Sequence, residues 1–121
     1  DLDIQDYASL LRLSGDYIVT EMQVQPGDWL VGWTLEELRL ADEGLLVLGI
    51  TRQNGLYEGT PHGTSLVDEF DTLIIYGRSA SIERLDNRPR GDEGDADRKE
   101  AVEAHRHYVA ERINRFNNKN S

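Results

Sequence analysis

Cysteine is absent from the chain. That excludes disulfide scaffolds, thiolate zinc fingers, thiol nucleophiles and iron–sulfur sites, and it fits a reducing compartment. No apolar run approaches the roughly 20 residues that a bilayer-spanning helix needs. The chain does not open with a charged segment followed by an apolar one, so no signal peptide is visible. Basic residues are scarce. Only 13 Lys and Arg stand against 23 Asp and Glu, a formal net charge of −10 with a pI near 4.6. Such a field repels phosphate backbones and anionic membrane surfaces, so a nucleic-acid polymer is not an expected partner.

What is there suits one compact domain. The chain has 121 residues, 38% of them hydrophobic and 30% charged, enough for a modest core under a wet surface. It opens on Asp1 rather than Met, and a piece of a longer protein is expected. Residues 1–15 read as a connecting helix. Asp3 can cap it, Ile4, Tyr7, Leu10 and Leu11 recur at helical spacing, and Gly15 can stop it. Residues 16–87 hold most of the apolar residues and are expected to form the domain. Residues 88–96, rich in Gly, Asp and Glu, read as a solvated acidic linker. Residues 97–121 read as a last helix with a polar, disordered end. Asp97 and Glu100 resemble a capping box, and Val102, His105, Val109, Ile113 and Phe116 share one face.

Within the central part, Tyr17 to Val24 alternates and is rich in strand formers, and Pro26-Gly27-Asp28 is a turn. Thr34 is expected to cap a short helix through Leu40, with Glu36 and Glu37 where the helix dipole favours them. Leu45 to Thr51 is continuously apolar, which predicts a strand buried on both faces. Asn54-Gly55 predicts a hairpin, with Leu56 to Gly59 returning antiparallel. Pro61 to Asp71 is a turn-rich excursion, and Thr72 to Tyr76 is a second buried strand. Ser79 is expected to cap a short helix through Leu85.

Residues with chemical potential are few. His62, Ser65 and Asp68 stand three apart, too close in sequence for the separate approach vectors of a triad, and no G-x-S-x-G elbow surrounds Ser65. Asp68, Glu69 and Asp71 lack EF-hand spacing and read as a solvated turn. Glu103 and His107 share a helix face but have no third ligand. Gly55, Gly59 and Gly63 follow no phosphate-binding pattern. Trp29 and Trp33 suit core packing at least as well as stacking on a ligand. No catalysis is expected from this set.

Several pieces, in this order, resemble the TrkA C-terminal (RCK C-terminal) domain family. A strand runs into the turn Val24 to Asp28. Leu30-Val31-Gly32-Trp33-Thr34-Leu35-Glu36-Glu37-Leu38 opens a short helix, and Gly44 precedes the apolar strand Leu45 to Ile50. Arg52 and Gly55 stand at the hairpin. Pro61, Gly63 and Thr64 form the next loop, and Asp71 to Gly77 supplies the closing Asp, strand and Gly. The likeness spans Tyr17 to Leu85. One departure is Phe70, where the family commonly has Gly, so the turn is built differently or Phe70 takes an unusual conformation.

The resemblance implies an α+β fold, mostly antiparallel sheet with short helices, to which N- and C-terminal helices are added. It implies a homodimer on the cytoplasmic side, serving as the regulatory part of a potassium or other cation channel or transporter. A membrane-embedded transport region in the same full-length chain would tether it to the inner membrane. Some members bind cyclic di-AMP across the dimer two-fold. Carried over by position, that pocket comprises Thr34, Glu37, Leu38, Arg39, Leu45, Leu46 and Pro61. The alternative is a purely structural dimerisation module without ligand, and a more distant one is a small hydrolase using His62.

Overall fold

The computed structural model describes residues 16–119. The helix expected over residues 1–15 lies outside the described residues, as does the extreme C-terminus from residue 120. Four strands, β1 (Tyr17–Gln23), β2 (Leu46–Thr51), β3 (Tyr57–Glu58) and β4 (Thr72–Arg78), form one antiparallel sheet in the order β1-β4-β2-β3. With its short helices this is the expected α+β architecture. The β2–β3 turn is the expected hairpin. Gly55 takes φ +90°, Arg52 N–H donates to the Leu56 carbonyl at 2.8 Å, and Leu56 N–H donates to Asn54 Oδ1 at 3.0 Å.

β4 occupies the middle of the sheet, and its alternate residues Leu73, Ile75 and Gly77 are buried. They meet Met22 from β1 and Ile50 from β2 on the core face. The expectation that β2 is buried on both faces is overturned. Val47 pairs with Ile75 and Gly49 with Ile74, so Leu48 is an extra residue, a β-bulge. Side chains alternate with a period of two, and an inserted residue reverses that phase. Ile50 is therefore fully buried, while Leu46 and Leu48 are 56% and 37% exposed.

The other core wall is made of short helices: α1 (Leu35–Leu38), a 3-10 turn (Leu40–Glu43) and α2 (Ser79–Leu85). Leu38, Leu40, Ile82 and Leu85 pack from this side with Val24, Leu30, Leu45 and Val67. α1 does not continue to Leu40 as expected. Arg39 adopts the left-handed conformation (φ 49°, ψ 49°), which ends the α-helix, and the 3-10 turn runs on to Gly44 at φ +79°. α2 has the expected bounds but not the expected cap. Its N-cap is Arg78, and Ser79 instead turns its N–H onto the Asp16 carbonyl at 3.1 Å.

The acidic linker expected over residues 88–96 is not a free linker: residues 90–93, 95 and 96 are exposed, but the segment is folded onto the domain and its last part is already helix. Trp29 N–H donates to the Arg88 carbonyl (2.8 Å) and Arg90 N–H to the Gly27 carbonyl (3.1 Å), pairing this segment with the turn after β1. The Arg88 side chain is wholly buried and forms a bidentate pair with the equally buried Glu43, at 2.6 and 3.1 Å. Sequence composition could not reveal this, because an arginine in a charged stretch looks solvated until its partner, far away in sequence, is placed.

The last helix, α3 (Asp92–Lys119), starts earlier than the Asp97 expected from sequence. Gly94 lies so close to the Pro89 carbonyl that a Cβ there would collide with it. The first half of α3 docks on the body. Trp29 Nε1–H donates to Asp95 Oδ1 (3.0 Å), Arg98 approaches Asp42 (3.6 Å), and the His105 ring lies against Gly44. The Arg78 guanidinium sits 3.8 Å over the Tyr108 ring, whose edge meets Tyr17. Beyond Tyr108 the expected apolar stripe is turned outward, with Ile113 54% and Phe116 68% exposed.

Candidate functional site

The candidate residues cluster where α1, the 3-10 turn, the start of β2 and the Pro61 loop converge. The first turn of any helix leaves N–H groups without intrahelical partners. Here the loop supplies them: Leu35 N–H donates to the Ser65 carbonyl (3.0 Å) and Glu36 N–H to the Gly63 carbonyl (2.9 Å). That bonding holds the loop against α1. It leaves a groove of about 280 Å³, open to solvent and close to the lower end of small-molecule sites.

Of the seven residues expected at the site, the groove gathers Arg39, Leu45, Leu46 and Pro61. Leu45 is buried, while Leu46 is exposed. Arg39 reaches outward with its side chain 71% exposed, held by Asp42 at 3.2 Å from Nε. The left-handed backbone at Arg39 aims this side chain, a consequence no helical wheel would show.

Thr34, Glu37 and Leu38 are not among the lining residues. Leu38 is a core residue. Thr34 and Glu37 form a capping box. Glu37 N–H donates to Thr34 Oγ1 (3.3 Å), and the Thr34 N–H and hydroxyl both donate to Glu37 Oε1 (2.9 Å each). These bonds hold the Glu37 carboxyl below the usual carboxylate range, the backbone N–H of Thr34 contributing most. Sequence reasoning missed the rest of the lining, Leu35, Glu36, Ala41, Val47 and His62 among it. They come from four segments, α1, the 3-10 turn, β2 and the Pro61 loop, and no local periodicity tells which side chains of separate segments converge.

The other candidates take structural roles. The Ser65 hydroxyl donates to Glu58 Oε1 (2.6 Å) and accepts the His62 backbone N–H (3.1 Å), so it is turned towards Glu58. Asp71 is buried. Its Oδ2 accepts from Arg52 Nη1 (2.7 Å) and from the Asp68 backbone N–H (2.9 Å). Arg52 also donates to Glu58 Oε2 (2.8 Å) and to the Leu66 carbonyl (2.6 Å). This guanidinium therefore ties the hairpin to the excursion loop, its planar fork serving several acceptors at once. The Ser65 and Arg52 hydrogen bonds hold the Glu58 carboxyl below its ordinary value. Among the described residues, no group of three or more His, Cys, Asp or Glu is placed to hold a metal ion.

The family model of the TrkA-C domain matches residues 19–89. The chain belongs to the TrkA-C domain family. The matched TrkA-C region contains the whole groove and ends at Pro89, so α3 lies outside it. Among solved structures the chain is similar to one described as the GsuK channel bound to NAD. The TM-score is 0.49 at 19% identity, covering 58% of this chain and 13% of that one. The chain thus spans a small part of that protein's length. No curated protein matches it. Among the described residues, no helix is long and apolar enough to cross a membrane.

Proposed function

We propose that this TrkA-C domain is the ligand-sensing regulatory part of a cation channel or transporter, acting as a homodimer on the cytoplasmic side. The membrane-embedded transport region would belong to the same full-length chain. The observation that carries the proposal is the groove, which brings an exposed arginine and an apolar wall of Leu45, Leu46 and Pro61 to one place. That pairing suits a small anion with a flat apolar part, such as a nucleotide, with cyclic di-AMP the natural first probe. The mechanism is differential affinity. A solute that binds one subunit arrangement better shifts the dimer towards it. The domain itself performs no chemistry in this reading.

The apolar outer surface near β2 and β3 supports association. Leu46, Leu56 and Tyr57 are all more than half exposed there, and a second copy would bury them. Isothermal titration of cyclic di-AMP and a panel of nucleotides tests the site. Binding is expected to weaken about tenfold in Arg39→Ala, because a charge-assisted hydrogen bond is lost, and to weaken with salt. Equal affinity in Arg39→Ala, or no heat from any probe while sedimentation still reports a dimer, would leave the structural dimerisation module as the better account. A sedimentation mass near 13.7 kDa at micromolar concentration would overturn both.

A further inference from the structure

The distal half of α3 carries a charge opposite to that of the protein. Arg106, Arg112, Arg115 and Lys119 stand there against Glu111, in a chain of net charge −10. Arg112, Arg115 and Lys119 recur at helical spacing along one flank, beside the outward stripe of Val109, Ile113 and Phe116. The Arg112 guanidinium lies 5.8 Å from the Tyr108 ring, and Tyr108 meets Tyr17 at 6.4 Å. The basic flank therefore begins where the described chain begins. Asp16 is fixed at that point, because its carbonyl accepts the Ser79 N–H.

We propose that residues 1–13 of this same chain dock on the basic, apolar face of α3 beyond Tyr108. Three observations favour this occupant. The segment enters the described fold beside that face, at Tyr17. It is acidic where the face is basic, with Asp1, Asp3 and Asp6 ahead of Arg12, and it carries Ile4, Tyr7, Leu10 and Leu11 at helical spacing. Its length fits too: 13 residues of helix span about 20 Å, and the stretch from Tyr108 to Lys119 about 17 Å. Running back along α3, the segment would set its aspartates against Arg112, Arg115 and Lys119. A second copy would bring the same basic flank to this face and be repelled. The proposal does not depend on any ligand in the groove.

The test is amide hydrogen exchange over residues 109–119 in the full chain, with the amides of β4 as the control for folding. Asp3→Lys with Asp6→Lys should speed exchange there about tenfold, and Arg112→Glu with Arg115→Glu likewise. All four together should restore it to within about threefold of the original, because the charges match again. Tenfold dilution should change nothing. Exchange that ignores the reversals, or a four-fold variant no better than the pairs, would overturn the proposal. So would protection that grows with protein concentration, which assigns the face to a second copy. Protection that appears only with phosphatidylglycerol vesicles would overturn it in favour of a membrane surface.

Discussion

Arg88 and Glu43 place two full charges in the interior, each with no exposed side-chain surface. Such a pair is held by geometry rather than by net gain, since desolvation offsets much of the attraction. Removing one partner leaves the other charged and buried. Arg88→Ala or Glu43→Ala is therefore expected to cost about 3–5 kcal/mol, read as a lower urea midpoint. Replacing both with Leu and Met should cost much less. A residue of another kind is Phe70, where the left-handed φ of +66° carries a side chain that the conformation disfavours. Phe70→Gly should raise the unfolding free energy by about 1 kcal/mol, read as a higher urea midpoint. The sequence already marked this position, because the family's Gly is missing there. It could not mark Arg88, whose partner is 45 residues away.

Among the elements, α3 docks through a titratable contact. His105 Nδ1 is buried without a hydrogen-bond partner, and its ring packs on Gly44. Burial first, and the nearby Arg78 charge second, push the His105 pKa below its ordinary 6.5. A lowered folded value means that the docked state resists protonation. The docking contribution is complete above pH 6.5 and is lost as pH falls through the lowered folded value. Amide protection of α3 around His105 should therefore fall as pH drops below 6.5, and His105→Leu should flatten that dependence. The strands and α2 were legible because alternation, Asn54-Gly55 and the Ser79–Leu85 stripe are local signals. The bulge at Leu48, the early start of α3 and the inward-facing loop residues were not. Each is decided by a contact distant in sequence, between β2 and β4, Gly94 and Pro89, or Gly63 and Glu36.

For the molecule as a whole, association and the groove share a border at Leu46, which lines the groove and is exposed beside it. A dimer that covers the surface near β2 and β3 should dissociate when Leu46 and Tyr57 are both changed to Asp. The monomer's own unfolding midpoint should move less than the association does, since both side chains are more than half exposed. Sedimentation and urea unfolding on the same variant check the two halves of this expectation. A variant that unfolds as readily as it dissociates would mean that the fold depends on its partner.

The extra residue in β2 divides that strand between two masters. Ile50 answers to the interior, where a lost methylene is felt at once. Leu46 and Leu48, on the other side of the phase reversal, answer only to whatever meets the outer surface. Replacements at Leu46 and Leu48 can thus retune association or ligand preference, while the interior that Val47 and Ile50 pack stays untouched. Replacements at Val47 and Ile50 are judged by stability. One short strand can in this way vary its recognition surface across related proteins without renegotiating its fold.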